Sequence, residues 1–235
     1  IIEKPLESLL TNIRGTETVV EKAHQHNKRI LVMSTSEIYG KNTSDSLSEE
    51  DDRILGSPLK SRWSYSEAKA IDEILAYTYW REKGLEAVIV RLFNTVGPRQ
   101  TGTYGMVLPR FVSQALKDQP ITIFGDGTQS RCFCHVSDVV AATIALAENP
   151  LAFGKVFNLG GTEEISIATL AERIIQVVGS NSKLTFTAYD IAYEEGFEDM
   201  ARRVPNTDKA RKLVGFEPSI GLDDIIRSVV EQHKG

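Results

Sequence analysis

Two residues in the segment RWSYSEAKAIDE, Tyr65 and Lys69, have side chains and a spacing that suit proton transfer. A tyrosine ordinarily ionises near pH ~10, so it is a poor base at neutral pH. A lysine four residues later lies on the same helix face, and its positive charge favours the phenolate. The first helical turn adds the positive end of the helix dipole. Such a pair could take the proton of an alcohol during hydride transfer.

A second pair with the same spacing, Tyr79 and Lys83, lies on the same predicted helix. This pair is about 21 Å further along the axis, at the C-terminal end, where the helix dipole opposes a phenolate. We therefore expect Tyr79 to pack and Lys83 to be solvated. A structural alternative also exists for the first pair, because Ser64 and Glu67 have the spacing of a capping box.

Polar residues after a predicted strand favour Tyr65 as the catalytic candidate. The apolar run at 29–34 is typical of a buried parallel strand, and Thr35, Ser36 and Glu37 follow it. Ligands bind at the carboxyl ends of strands in open α/β sheets, and hydroxyl and carboxyl groups there can exchange protons with an alcohol. The alternative is a polar strand end that caps the next loop.

The elements that must position these residues alternate along the chain. Helices are predicted at 6–27, 65–83, 106–118, 137–149 (with Ser137 as N-cap), 166–179, 207–214 and 221–233. Strands are predicted at 29–34, 86–93, 121–124, 131–136, 155–161 and 183–188, with a loop at 189–206. This alternation favours an α/β fold with a parallel sheet, and the short strands and long loops of the second half indicate a smaller added lobe.

Composition excludes several other classes. The 235 residues are 41% hydrophobic and 25% charged, and the net charge of −5 argues against a broad nucleic-acid surface. No apolar run reaches the length of a membrane span, and two cysteines are too few for a disulfide framework, so a cytoplasmic location is expected. We expect no metal site at Cys132, Cys134 and His135, because a strand would point His135 away from both cysteines and no fourth ligand is evident.

Five motifs occur in a fixed order: STSEIYG, YSEAK, RLFNTVGPRQ, IFGDGTQSRCFCHVSDV and RRVPNTDKARKLVGFEP. Together they resemble the extended short-chain dehydrogenase/reductases, and more narrowly the NAD-dependent nucleotide-sugar epimerase/dehydratase family. The resemblance implies a Rossmann-like NAD-binding domain whose remainder is 1–98, and a substrate lobe at 99–235 with some segments returning to the sheet. The chain has no GxGxxG or GxxGxxG sequence, so we expect the family's N-terminal dinucleotide-binding loop to be missing here, which leaves the sheet incomplete.

The resemblance also implies residue roles. Tyr65 would take the proton of the sugar's 4-hydroxyl while the C4 hydride passes to NAD, with NADP not excluded. Lys69 would lower the Tyr65 pKa and hold the nicotinamide ribose, and Thr35 would bind O4 beside Ser36 and Glu37. The implied cofactor contacts are Asn12 and Ser34, and the implied contacts to a UDP-sugar are Asn94, Leu108, Arg131 and Arg203.

Two of these substrate residues also have structural interpretations. Arg131 could be a surface strand residue, and Arg202 or Arg203 could pair with acidic residues at 194–199. Surface pairs of that kind contribute little stability.

Glu37 bears on the type of reaction. A 4-epimerase needs no carboxylate beside the sugar, whereas a carboxylate can handle a proton near C5 in an elimination. Thr-Ser-Glu resembles decarboxylase-like members, whereas GPRQTGTYGMVLPRF resembles bacterial sequences usually called epimerases. All members oxidise C4, so we predict an enzyme with a 4-keto intermediate. A 4-epimerase is the leading interpretation, and a UDP-glucuronate decarboxylase or a 4,6-dehydratase is the alternative.

Two further expectations concern the whole protein. Without a dinucleotide loop, the chain could also be a non-catalytic remnant that binds a nucleotide-sugar. By resemblance, the helices at 6–27 and 65–83 would form the four-helix interface of a homodimer.

Overall fold

The computed structural model describes residues 5–102, 106–189 and 200–234. It divides into two compact units. The first contains Ile1–Phe93, Val140–Leu159 and Pro205–Glu217, and the second contains Asn94–Val139, Gly160–Val204 and Pro218–Gly235. The chain therefore leaves the first unit after Phe93 and returns to it twice.

Helices and strands alternate as the sequence predicts. The helices are α1 Pro5–Gln25, α2 Ser64–Lys83, α3 Val107–Ala115, α4 Val136–Glu148, α5 Ile167–Val178, α6 Asp208–Val214 and α7 Leu222–Lys234. The strands are β1 Ile30–Thr35, β2 Ala87–Leu92, β3 Thr95–Val96, β4 Ile121–Phe124, β5 Ser130–Cys132, β6 Cys134–His135, β7 Val156–Leu159, β8 Glu164–Ser166, β9 Leu184–Thr187 and β10 Arg202–Arg203. Most of the predicted loop at 189–206 lies outside the described residues.

The first unit is built on a parallel sheet in the order β1–β2–β7. Thr35 lies opposite Leu92, and Leu92 lies opposite Leu159, so the three strands end at one edge. The central strand β2 is buried over most of its length, and its side chains pack with Val20 of α1 and Ala76 of α2. The prediction of an α/β fold with a parallel sheet is confirmed. Polar residues that follow the carboxyl ends of these strands therefore lie along the same edge of the sheet.

The second unit combines short strands with a helical core. Its sheets are β10–β5–β8, β4–β9 and β3–β6. Its core is formed by apolar side chains of α3, α5 and α7, such as Phe111, Leu170 and Ile226. Phe133 interrupts the predicted extended segment at 131–136, so this segment forms two separate strands, β5 and β6.

Two predicted helix caps are wrong, although both helices start within one residue of the predicted position. Ser64 and Glu67 form no capping box, because a 3-10 helix at Ser61–Trp63 runs directly into α2 and the Ser64 hydroxyl donates to the Ser61 carbonyl oxygen at 2.8 Å. Ser137 is not an N-cap either, since α4 already begins at Val136 and the backbone N–H of Ser137 donates to the His135 ring at 3.3 Å. The predicted end of α2 at Gly84 is confirmed, with φ at 70°.

Within the described ranges, no helix is both long enough and apolar enough to cross a membrane.

Candidate active site

Thr35 ends β1 and starts the turn that carries the other polar candidates. Its side-chain oxygen accepts the backbone N–H of Glu37 at 3.2 Å, and residues Ser36–Tyr39 form a 3-10 helix. Gly40 closes this turn with φ at 59°, and a Cβ there would collide with the Ile54 carbonyl oxygen. Because a left-handed backbone without room for a Cβ requires glycine, the sequence itself dictates this tight turn at the edge of the sheet.

Two contacts join Glu37 to the start of α2 and the residues before it. The Glu37 carboxylate pairs with the Arg62 guanidinium at 2.5 Å, with side-chain exposures of only 16% and 17%. The Ser66 hydroxyl donates to the Glu37 carbonyl oxygen at 2.9 Å. These contacts fix the turn against the helix that carries Tyr65.

Tyr65 is half-buried and makes a side-chain hydrogen bond with Thr35. The structure therefore brings these two predicted residues together. The pKa of Tyr65 is raised above its ordinary 10.0, first because burial disfavours the phenolate and then because Glu37 and Asp72 are negatively charged. The sequence predicts that Lys69 lowers the pKa of Tyr65, but in the chain by itself this pKa is raised.

Lys69 explains this difference. Its ammonium group is buried and donates to the Asp72 carboxylate at 2.7 Å, and Asp72 is fully buried. Because an opposite charge at this distance largely balances that of the lysine, Lys69 favours the Tyr65 phenolate less than an unpaired lysine would. Sequence reasoning missed Asp72, although the i, i+3 spacing from Lys69 could have indicated the pair.

Of the residues implied to contact the cofactor, Ser34 and Lys69 have polar groups that suit a ligand. Ser34 is only 4% exposed, and its hydroxyl has no hydrogen-bond partner among the described residues, as expected for a group that a ligand satisfies. The Lys69 ammonium has three donors and directs one of them at Asp72, which leaves donors for hydroxyl groups of a ribose. Asn12 lies on α1, where its side-chain amide donates to the Ser8 carbonyl oxygen at 2.8 Å.

Two implied substrate residues lie side by side in the second unit. Arg131 on β5 is the register partner of Arg203 on the parallel strand β10. Parallel register partners project to the same side of a sheet, so two cations lie on one face. Arg131 is 7% exposed, so the alternative of a surface strand residue is wrong. Arg202 instead forms a surface pair with Glu164 at 2.7 Å. The acidic residues at 194–199 lie outside the described residues.

The other two implied substrate residues, Asn94 and Leu108, make contacts within the protein. The Asn94 side-chain amide donates to the Cys132 carbonyl oxygen at 2.9 Å. The Leu108 side chain is fully buried in the core of the second unit. Its contact with the substrate therefore stays a prediction.

The remaining candidates from the sequence are structural. Tyr79 packs in the core beside α1, with its ring 5.9 Å from that of His24, and Lys83 is exposed, as predicted. The Cys132 and Cys134 thiols are buried, and burial raises the pKa of each to about 12. Among the residues that the structure describes, no three histidine, cysteine, aspartate or glutamate side chains are grouped closely enough to hold a metal ion.

The fold and the site define a Rossmann-like α/β protein with a Tyr-x-x-x-Lys pair at the carboxyl edge of a parallel sheet. Residues 2–160 match the NAD dependent epimerase/dehydratase family. With this match over more than half of its length, the chain belongs to that family, and the predicted resemblance is confirmed.

Two proteins of similar sequence align with nearly the whole chain. It is 37% identical to the UDP-N-acetyl-alpha-D-glucosaminuronate decarboxylase of Bacillus cytotoxicus, over 98% of this chain and 71% of that protein. It is 34% identical to UDP-glucuronic acid decarboxylase 1 of Xenopus tropicalis, over 96% of this chain and 52% of that protein. The chain therefore spans from about half to about seven tenths of these relatives' length.

The structure is similar to that of UDP-glucuronic acid 4-epimerase from Bacillus cereus, which was solved in complex with UDP-glucuronic acid and NAD. The TM-score is 0.84 at 29% identity, over 96% of this chain and 68% of that one. The likeness supports the Rossmann-like fold of the family.

Proposed function

We propose that the protein oxidises C4 of a UDP-linked uronic acid with NAD and then removes the C6 carboxylate as CO2. The observation that carries this proposal is the Thr35–Tyr65 hydrogen bond beside the Glu37–Arg62 pair. This arrangement supports the proposal, because two hydroxyl groups suited to bind O4 lie next to a carboxylate. The decarboxylases among the relatives act, by their names, on UDP-linked uronic acids, which supports this choice of substrate.

The residues of the first unit divide the chemistry between them. Thr35 binds O4, and Tyr65 takes the proton of the 4-hydroxyl. When bound, NAD would supply the acceptor for the C4 hydride and the donor for the final reduction at C4. Oxidation at C4 gives a β-keto acid, so the C5–C6 bond can break with its electron pair moving towards C5 and the C4 carbonyl. C5 then takes up a proton that comes from water, and we assign the relay of this proton to Glu37, which Arg62 orients.

In the second unit, we propose that Arg131 and Arg203 bind the diphosphate. Two guanidinium groups on one sheet face suit two phosphates, because arginine forms bidentate hydrogen bonds to phosphate oxygens.

The leading interpretation of the sequence, a 4-epimerase, is the second candidate. The likeness to the UDP-glucuronic acid 4-epimerase favours it, and the first oxidation would be the same. In that reaction the 4-keto sugar would rotate so that its opposite face is reduced, and the carboxylate would be retained.

Product analysis by NMR separates the candidates. The natural full-length protein with NAD and UDP-glucuronate should give a UDP-pentose and CO2 if it is a decarboxylase, and the C4 epimer without CO2 if it is an epimerase. UDP-glucose is the matched control, since it has no carboxylate to lose. Binding of the nucleotide-sugar with no change in either compound would instead indicate a non-catalytic remnant.

A variant tests the role of Glu37. In a decarboxylase, Glu37→Gln should leave nicotinamide reduction nearly intact while product formation falls by about 100-fold, the usual contribution of a proton donor. If product forms at the wild-type rate, Glu37 is not the group that exchanges the C5 proton.

We also propose a homodimer through α1 and α2. Both helices carry exposed apolar side chains, among them Val19 at 55% and Ile74 at 60% exposure. Large apolar side chains exposed on neighbouring helices are typical of an interface.

A further inference from the structure

A buried network of polar side chains centres on Arg91, in the middle of the first unit's sheet. The guanidinium binds the Glu73 carboxylate in a bidentate manner, with Nε–Oε1 at 3.0 Å and Nη2–Oε2 at 2.8 Å. Its Nη1 donates to the Tyr39 hydroxyl and to the Glu49 carbonyl oxygen, both at 3.0 Å. The Arg91 and Glu73 side chains are only 9% and 10% exposed, so this is an ion pair largely removed from water.

The Tyr39 hydroxyl extends the network to the third strand. It accepts from Arg91 and donates to Asn158 Oδ1 at 2.7 Å. Asn158, on β7, is fully buried, and its side-chain amide donates to the Leu47 carbonyl oxygen at 2.9 Å. Burial raises the pKa of Tyr39 to about 12, so the hydroxyl stays protonated and keeps both bonds.

The network joins the two segments that carry the catalytic candidates. Tyr39 is the last residue of the 3-10 helix that holds Ser36 and Glu37. Glu73 lies on α2, one turn beyond Lys69 and two turns beyond Tyr65. The turn and the helix are thus tied to each other through the sheet, by a route separate from their direct contact at Ser66.

Stability alone is a weak reason to bury such a pair. The desolvation of two charges costs several kcal/mol, and apolar side chains of similar volume often do as well or better. A satisfied polar network, in contrast, fixes one geometry, because each donor and acceptor has a defined direction. Catalytic groups need that precision, since a displacement of about 1 Å can cost about 100-fold in rate.

We propose that Tyr39 and Arg91 are positioning residues of the candidate active site, which hold the turn Ser36–Tyr39 in register with Tyr65 without contacting the substrate. This inference rests on the proposed function, because it concerns the rate of the C4 oxidation. Nothing in the reaction itself requires either side chain.

Tyr39→Phe tests the inference with the loss of a single hydroxyl. We expect nicotinamide reduction at saturating UDP-glucuronate to slow by about 10- to 100-fold, with KM changed by less than about twofold, because a displaced turn affects the transition state more than binding. Arg91→Lys is the second variant. It keeps the charge but loses the bidentate geometry, so the rate should fall in the same way. Tyr79→Phe is the matched control, since it removes a hydroxyl of α2 outside the network and should leave the rate unchanged.

A double variant separates positioning from stability. If Tyr39 acts through the turn, Tyr39→Phe should cost several-fold less in a Thr35→Val background than alone, because the turn's contact with Tyr65 is already lost. A purely structural role predicts a lower thermal midpoint with an unchanged rate per folded molecule, or rate effects that simply multiply. Either result would overturn the inference.

The two proposals fail in different ways. If the wild-type protein reduces no nicotinamide with UDP-sugars, the proposed function falls and the positioning role falls with it. If the wild type is active and both Tyr39→Phe and Arg91→Lys match its rate, only the positioning role is refuted.

Discussion

Tyr65→Phe removes the phenol that we expect to take the proton of the sugar's 4-hydroxyl. The ring remains and keeps its half-buried place beside Thr35, so the fold should tolerate the change. The substitution leaves Lys69, Asp72 and the Glu37–Arg62 pair in place. Any loss of rate therefore reports on the hydroxyl itself.

The loss of rate expected for Tyr65→Phe follows from the contribution of a general base, and its pH dependence follows from the charges around Tyr65. General base catalysis contributes about 10²- to 10⁴-fold, which corresponds to about 3–5 kcal/mol of barrier. Because the Tyr65 pKa is raised above 10.0, less than about 1% of the chain by itself would carry a phenolate at about pH 8. The active form is the deprotonated one, so the wild-type rate should climb with pH until the pKa of Tyr65 in the cofactor complex is reached.

The assay is single-turnover reduction of bound nicotinamide by UDP-glucuronate, followed by absorbance in the natural full-length protein. Tyr65→Phe should be at least about 100-fold slower than wild type and should lose the rise with pH. Tyr79→Phe serves as the control, because Tyr79 packs against His24 at the other end of α2. A Tyr65→Phe rate within about threefold of wild type would refute the assignment of Tyr65 as the base.

Three further predictions concern binding, the turn and assembly. Arg131→Met should raise KM for the UDP-sugar by about 10- to 100-fold with little change in kcat, since a charged hydrogen bond contributes about 1.5–3 kcal/mol; Arg202→Met should do little, and equal effects in steady-state kinetics would contradict the phosphate role. Gly40→Ala should lower the free energy of unfolding in urea by more than about 1 kcal/mol, because its φ is 59° and a Cβ meets the Ile54 carbonyl. Gly84→Ala, at φ 70° in open space, should cost less, and the reverse order would contradict the steric argument. Ile74→Glu should turn a dimer into a monomer by light scattering, and a wild type that is already monomeric at micromolar concentration would count against the interface.

Local patterns carry most of the fold of the first unit. The run EAVIVRLF predicts β2 because a strand covered on both faces is apolar over most of its length. Helix α2 ends at the predicted glycine because only glycine enters the left-handed region freely. The short strands β3, β8 and β10 could not be predicted. Each has two or three residues and exists only because a distant segment pairs with it.

In the candidate site, too, residues with local sequence signals were predicted, whereas pairs that depend on packing were not. Thr35 and Tyr65 follow from a strand end and a helix start, which are both local signals, and the structure brings them into contact. Arg62 and Asp72 were missed as partners of Glu37 and Lys69, because the pairing depends on which side chains the packed turn and helix bring together. Single sequences contain many acidic and basic residues at suitable spacings, and burial decides which of them meet.

The buried Lys69–Asp72 pair changes the role that the chain gives to Lys69. Its charge is balanced at 2.7 Å, so it does little to make the Tyr65 phenol acidic, and two carboxylates act on that phenol in the opposite direction. We expect its remaining N–H donors to hold ribose hydroxyl groups. The positive charge that a Tyr65 phenolate needs must then come from elsewhere, and an oxidised nicotinamide carries one. We therefore expect Tyr65 to be a weak base in the chain by itself and a better one beside the oxidised cofactor, which would confine proton removal to the complex that can also accept the hydride.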